Sequence, residues 1–219
     1  NYVMLETGQP LHFYDADTLK DKIEVRMAKN GEKLTTLDNV QRTLSEEDIV
    51  ISDGEKAIGL AGVMGGLDTE ITENTKNVLI ESAIFDGVKV RKTSKEILRS
   101  EASSRFEKGL DPNRTYMAME RACKLLAEYA KGEVVGGIAK YDNANLANRE
   151  IEISFKKIND VLGMEIAKVD VLNVFRKLDF DVIIHSKKSD FSETEKDLEK
   201  VENIIVSVPR RRGDISIQE

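Results

Sequence analysis

Ile23-Glu24-Val25-Arg26-Met27 alternates apolar and charged side chains, the period of a strand with one buried face. Similar pieces follow closely. Lys29-Asn30-Gly31-Glu32 is a turn, residues 34–37 and 40–44 read as strands on either side of Asp38-Asn39, and Ile49–Ser52 is another short strand. This run predicts a β-rich body with short connections. Gly59-Leu60-Ala61-Gly62-Val63-Met64-Gly65-Gly66 comes next, four glycines in eight residues. Such density marks a turn or lets backbone approach another strand or a ligand. It has neither the Gly-Lys-Ser/Thr of a P-loop nor GxGxxG spacing. Residues 77–83 read as a buried strand with one acid, Glu81, near its end.

After Phe85 the period becomes helical. Residues 86–99 form a basic amphipathic stretch. A second helix starts with Asp111 as N-cap and Pro112 at the first helical position. Tyr116, Met119, Cys123, Leu126 and Ala130 keep a three-four spacing, and Gly132 supplies the stop. Polar, Asn-rich residues 142–148 mark a boundary. Beyond it come a strand at 151–155, helices at 155–162 and 169–178, and a hairpin pairing 180–184 with 204–208. The charged segment 186–201 reads as a mobile loop, with His185 exposed beside it. The expected fold class is α+β: a mixed β-rich domain with packed helices, then a small winged-helix-like α+β unit.

The net charge of −7 argues against a general nucleic-acid binder. Locally, residues 89–108 carry seven basic and three acidic side chains, which suits either a solvated helix face or a phosphate-tracking surface. No apolar run approaches the roughly 20 residues of a membrane span. The single cysteine, Cys123, gives no disulfide framework or zinc spacing, and its place on an apolar helix face suits packing. A cytoplasmic protein without membrane contact is expected. The chain starts without Met and stops where residues 214–219 look like the beginning of a helix, so it reads as an excerpt.

Several segments, in order, resemble the β subunit of bacterial phenylalanyl-tRNA synthetase. They are Tyr2-Val3-Met4-Leu5-Glu6 with Gly8-Gln9-Pro10-Leu11-His12, Gly31-Glu32-Lys33-Leu34 with Leu37-Asp38, and Ala61-Gly62-Val63-Met64-Gly65-Gly66. Val78-Leu79-Ile80-Glu81-Ser82-Ala83, Glu101-Ala102-Ser103, Arg105-Phe106-Glu107 and Asp111-Pro112 add to them. The resemblance implies that residues 1–141 are a B3/B4 tRNA-editing domain and 148–219 part of a B5 domain. The family pattern is departed from at three places. Phe13-Tyr14 stands where Ala-Phe is usual, Ser100 where Thr is common, and Pro209 where Trp precedes the arginine.

What the resemblance implies about chemistry is specific. The domain would bind the tRNA acceptor end and hydrolyse mischarged Tyr-tRNA(Phe). Tyrosine differs from phenylalanine by one hydroxyl, which an apolar synthetic site rejects only by about a hundredfold. A second site that hydrogen-bonds that hydroxyl discriminates better, because phenylalanine leaves its polar groups unpaired. By resemblance, Glu81 accepts the tyrosine hydroxyl, the Gly65 backbone N–H faces it, and Gly62 lines the pocket. His12 lies near the ester, and Ser100 and Ala102 form the far wall. Without the resemblance, Glu81 reads as a surface or paired acid and His12 as a packed ring.

No Ser-His-Asp spacing is evident, so hydrolysis by a positioned water is expected, helped by the tRNA terminal ribose. Arg91, Lys92 and Lys95 are the candidate RNA contacts. Asp214 corresponds to one of four family carboxylates for magnesium; alone it is a poor site, and no cofactor is expected here. ATP, magnesium and the α subunit belong to the whole α2β2 enzyme, as does tRNA(Phe). The competing reading is a non-catalytic module that docks RNA or the α subunit.

Overall fold

The structure, a computed structural model, describes residues 1–20, 22–144, 147–185 and 187–215. The expected linker residues Asn145 and Leu146, and the expected helix start beyond Ile215, lie outside the described residues. The chain divides into two compact units, Asn1–Asp142 and Asn143–Glu219.

In the first unit, α1 (Tyr2–Thr7) ends at Gly8, whose left-handed φ of 78° closes the helix. Strand β1 (His12–Asp15) follows, then β2 (Glu24–Met27), the hairpin β3 (Lys33–Thr35) and β4 (Gln41–Thr43), then β5 (Ile49–Ser52), β6 (Ala57–Leu60) and β7 (Met64–Gly65). Strands β2, β5, β6 and β7 form an antiparallel sheet in the order β2-β5-β6-β7. The tight turn expected at Asp38-Asn39 is present: Asn39 has a φ of 61° and its N–H donates to the Thr36 carbonyl at 2.8 Å. Strand β8 (Val78–Glu81) returns to pair antiparallel with β1. The unit ends with α2 (Gly87–Glu96), α3 (Ser103–Phe106) and α4 (Asn113–Tyr129).

Val50, Leu60, Val63, Val90 and Phe106 form the core between the sheet and α2 and α3. The strand expected at 77–83 is buried only in part. Among the described residues it pairs with β1 alone, and Val78 and Leu79 are each 38% exposed. The inward face of α4 also differs from the expected stripe. Ala118 and Ala122 face the core, packed near Val3, Phe13, Ile80 and Leu125, whereas Tyr116 is exposed. Small side chains win there because α1 and β8 come close to the helix. The Asp111 side chain accepts the Asn113 N–H at 3.0 Å, but the helix begins at Asn113, so Pro112 and not Asp111 holds the cap position. At its end the left-handed residue is Lys131, φ 55°, while the Gly132 N–H donates to the Leu126 carbonyl.

The second unit runs β9 (Arg149–Ser154), α5 (Phe155–Leu162), α6 (Lys168–Lys177), β10 (Asp181–Ile184), β11 (Lys187–Lys188), α7 (Glu195–Leu198) and β12 (Asn203–Val208). Its antiparallel sheet has the order β11-β10-β12-β9, and includes the expected pairing of 180–184 with 204–208. Phe155, Leu172, Val182, Leu198, Ile204 and Val206 pack as one core. The segment expected to be a mobile loop contains β11 and α7. Thr194 and Asp197 cap α7 reciprocally, and Leu198 is fully buried. The charges there lie outside a buried anchor. Both units together are α+β.

Candidate functional site

Strand alternation puts three polar side chains on one face. In the β1–β8 ladder His12 lies opposite Glu81, Phe13 opposite Ile80 and Tyr14 opposite Leu79. Successive strand residues point to opposite faces, so His12, Tyr14 and Glu81 share one side. Phe13 and Ile80 pack on the other, toward α4. Gln9, completely buried just before β1, donates to the carbonyl of Ala83 just after β8 and to that of its neighbour Pro10.

The glycine segment faces these side chains. A Cβ on Gly65 would lie 2.2 Å from His12 Cε1 and 2.3 Å from Nε2. Only glycine lets the imidazole lie against β7. Gly62 makes the turn with φ 71°, and a Cβ there would be 3.0 Å from Phe106. His12, Gly62, Gly65, Glu81 and Ala102 thus converge on one cavity of about 70 Å³, which Tyr14 also lines. Ser100 is not among the lining residues. Its hydroxyl donates to the Val63 carbonyl at 2.7 Å and accepts the Ser103 N–H, so it fastens the start of α3 to the glycine turn.

Burial holds the His12 imidazole down at about pKa 4, so it is neutral at pH 7. Among the described residues its Nε2 is enclosed without a hydrogen-bond partner. Burial pushes the Glu81 carboxyl up, and a hydrogen bond from Tyr14 partly opposes this. Glu81 as a whole is partly exposed, and its Oε2 is the oxygen held by Tyr14. The Tyr14 hydroxyl, 2.5 Å from Glu81 Oε2, is pushed up by burial and then by the charge and bond of Glu81. A carboxylate acceptor and a neutral imidazole over a glycine floor suit an apolar ligand bearing one polar group. Among the described residues no Ser, Thr, Cys or Lys lines the cavity, so it offers no covalent nucleophile of those kinds.

Of the sites expected from sequence, Tyr14 was missing. Its signal is the spacing of two from His12, which on a strand means the same face. The basic stretch is partly self-neutralised: Lys92 pairs with Glu47, Arg99 with Glu107 and Arg105 with Glu101. Arg91 and Lys95 are exposed on α2. Asp214 is held by both Nε and Nη2 of Arg212, and among the described residues no group of three or more His, Cys, Asp or Glu could hold a metal.

The chain belongs to the B3/4 domain family, whose model matches residues 1–131. Over its whole length it is similar to phenylalanine–tRNA ligase β subunits: 46% identical to that of a Bacillus cereus strain, 43% to that of Bacillus subtilis and 47% to that of Staphylococcus saprophyticus. Each alignment covers 100% of this chain and 26% of the relative, so the chain spans about a quarter of their length. Among solved structures, the crystal structure of an N-terminal fragment of the phenylalanyl-tRNA synthetase β subunit from Pyrococcus horikoshii aligns with a TM-score of 0.42 and 16% identity. That alignment covers 98% of this chain and 59% of the other. Among the described residues no helix is long and apolar enough to cross a membrane.

Proposed function

We propose that the first unit is the editing module of a phenylalanine–tRNA ligase β subunit, hydrolysing the ester of tyrosine mischarged to tRNA(Phe). The observation that carries this reading is the convergence of His12, Gly62, Gly65, Glu81 and Ala102, drawn from separate stretches of sequence, on one cavity with a carboxylate in its wall. In this reading Glu81 accepts the tyrosyl hydroxyl, and a phenylalanyl ring leaves the carboxylate facing carbon. The neutral His12 orients the attacking water or the ester by hydrogen bonding, since a group of pKa about 4 is a weak base at pH 7. Arg91, Lys92 and Lys95 track acceptor-arm phosphates, and the second unit is a B5 domain docked with the α subunit. Aminoacylation, with its ATP and magnesium, takes place on that other subunit.

The test is Glu81→Ala in the intact enzyme. Hydrolysis of Tyr-tRNA(Phe) should fall by about two orders of magnitude, the upper range for losing a hydrogen bond to a charged group, while charging with phenylalanine is retained. Equal loss of both activities would mean a folding defect. Unchanged hydrolysis would favour a module that docks RNA or the α subunit without chemistry.

A further inference from the structure

Tyr14 is the one buried polar group of the cavity to which the proposed reaction gives no task. It is 1% exposed, and its hydroxyl donates to Glu81 Oε2 at 2.5 Å. The ring is fixed from two sides. The His12 imidazole meets it edge-on with centroids 4.5 Å apart, and a Cβ on Gly59 would be 3.4 Å from its hydroxyl. The phenol is therefore a rigid donor built into the site, not a passing contact.

A carboxylate has two oxygens and about four acceptor positions, so a bond to Oε2 leaves Oε1 to receive another donor. We propose that Tyr14 is a positioning residue that determines specificity: its hydroxyl takes Glu81 Oε2, fixes the carboxylate, and presents Oε1 to the hydroxyl of a phenolic ligand. The proposal rests on the editing reading and goes beyond it, because it makes discrimination depend on a second, internal phenol.

The chemistry has a direction. Burial favours the protonated Glu81 carboxyl, and the Tyr14 bond favours the ionised one. An ionised carboxylate only accepts, so a phenylalanyl ring against it leaves it poorly paired. A protonated carboxyl is neutral and can turn its O–H to another acceptor, so it tolerates either ring. The titratable groups lining the cavity with Glu81 are His12 and Tyr14, both on β1. The walls from β5, β6, β7 and α3 contribute Ile51, Gly59, Met64 and Phe106, which do not titrate.

The experiment is Tyr14→Phe, which removes one oxygen and keeps the ring. In the 219-residue chain, labelled with ¹³C at glutamate carboxyls, the Glu81 resonance is identified by its loss in Glu81→Gln and titrated by NMR. Its midpoint should move up in Tyr14→Phe. In the intact enzyme, the ratio of tyrosyl-ester to phenylalanyl-ester hydrolysis should fall about tenfold, the scale of one hydrogen bond to a charged group. An unmoved Glu81 midpoint overturns the positioning role. A ratio that is unchanged, or that rises because the internal phenol competes with substrate, overturns the specificity role. If the unsubstituted enzyme does not hydrolyse the tyrosyl ester, the editing reading fails, and the specificity role with it. The titration then decides the positioning of Glu81 by itself.

Discussion

Acidification should destabilise the first unit through His12. The folded chain holds that imidazole at about pKa 4 by burial, against 6.5 for an unburied histidine. Between these values the unfolded chain binds one more proton than the folded chain. Stability from this group is therefore complete above pH 6.5 and is lost as pH falls to about 4. At about 1.4 kcal/mol per unit, the loss is about 3 kcal/mol, a large share of the ~5–15 kcal/mol typical of a domain. Glu81 works the other way: its folded pKa is raised, so stability increases as pH falls through that value toward 4.5. The two contributions overlap, and wild-type stability alone would not separate them.

The comparison with His12→Gln does separate them, because Glu81 and the remaining acids stay in both proteins. A useful probe is intrinsic to the sequence: all five tyrosines lie in the first unit and the chain has no tryptophan, so tyrosine fluorescence reports that unit alone. Urea unfolding from pH 7 to pH 4 should show the wild-type advantage over His12→Gln shrinking by about 3 kcal/mol. A difference that stays flat, or grows on acidification, would refute the argument that His12 is buried in its neutral form.

Gly65→Ala puts a Cβ 2.2 Å from the His12 ring and should cost about 1–3 kcal/mol. In Gly65→Ala/His12→Ala that cost should largely vanish, and additive losses in the double-mutant cycle would disprove the clash. Leu198→Ala, at a fully buried position, should lower stability of the second unit by about 2–5 kcal/mol in circular dichroism while the tyrosine transition stays put. Neutralising Arg91, Lys92 and Lys95 together in the intact enzyme should weaken tRNA binding and flatten the plot of log affinity against log salt by roughly one unit per lost phosphate contact. An unchanged slope would identify this as a solvated helix face.

Local pattern carried much of the fold. The turn at Asp38-Asn39 and the pairing of 180–184 with 204–208 were legible because each is marked by turn residues or a short apolar run. What failed depended on neighbours remote in sequence. The α4 face turns on Ala118 and Ala122 because Val3 and Ile80 approach closely, and nothing in residues 113–129 announces them. The charged run 186–201 hid Leu198, one apolar anchor among many ions. At the site, His12, Gly65 and Glu81 could be named from ordered motifs. Their contact with Tyr14 required a β1–β8 register that four-residue strands do not encode alone.

Perturbed ionisable groups mark a functional site only when the cause is the right one, and this chain holds both kinds. Glu32 is lowered to about pKa 2, first by its hydrogen bonds to Arg26 and helped by the Lys29 N–H. That shift favours the charged form and fastens a turn, and it needs no ligand to account for it. His12 and Glu81 are shifted chiefly by burial, each away from its charged form. An apolar pair of similar size would pack in the same place without that desolvation cost. Polar groups held against their own solvation, over a glycine that admits no side chain, are what the proposed ligand site requires. The compensation is incomplete within the described residues: Tyr14 serves one oxygen of Glu81, and His12 Nε2 is enclosed without a partner. Under the editing reading proposed above, a tyrosyl ester would supply one hydroxyl to Glu81 and one polar atom to His12, and a phenylalanyl ester would lack the hydroxyl.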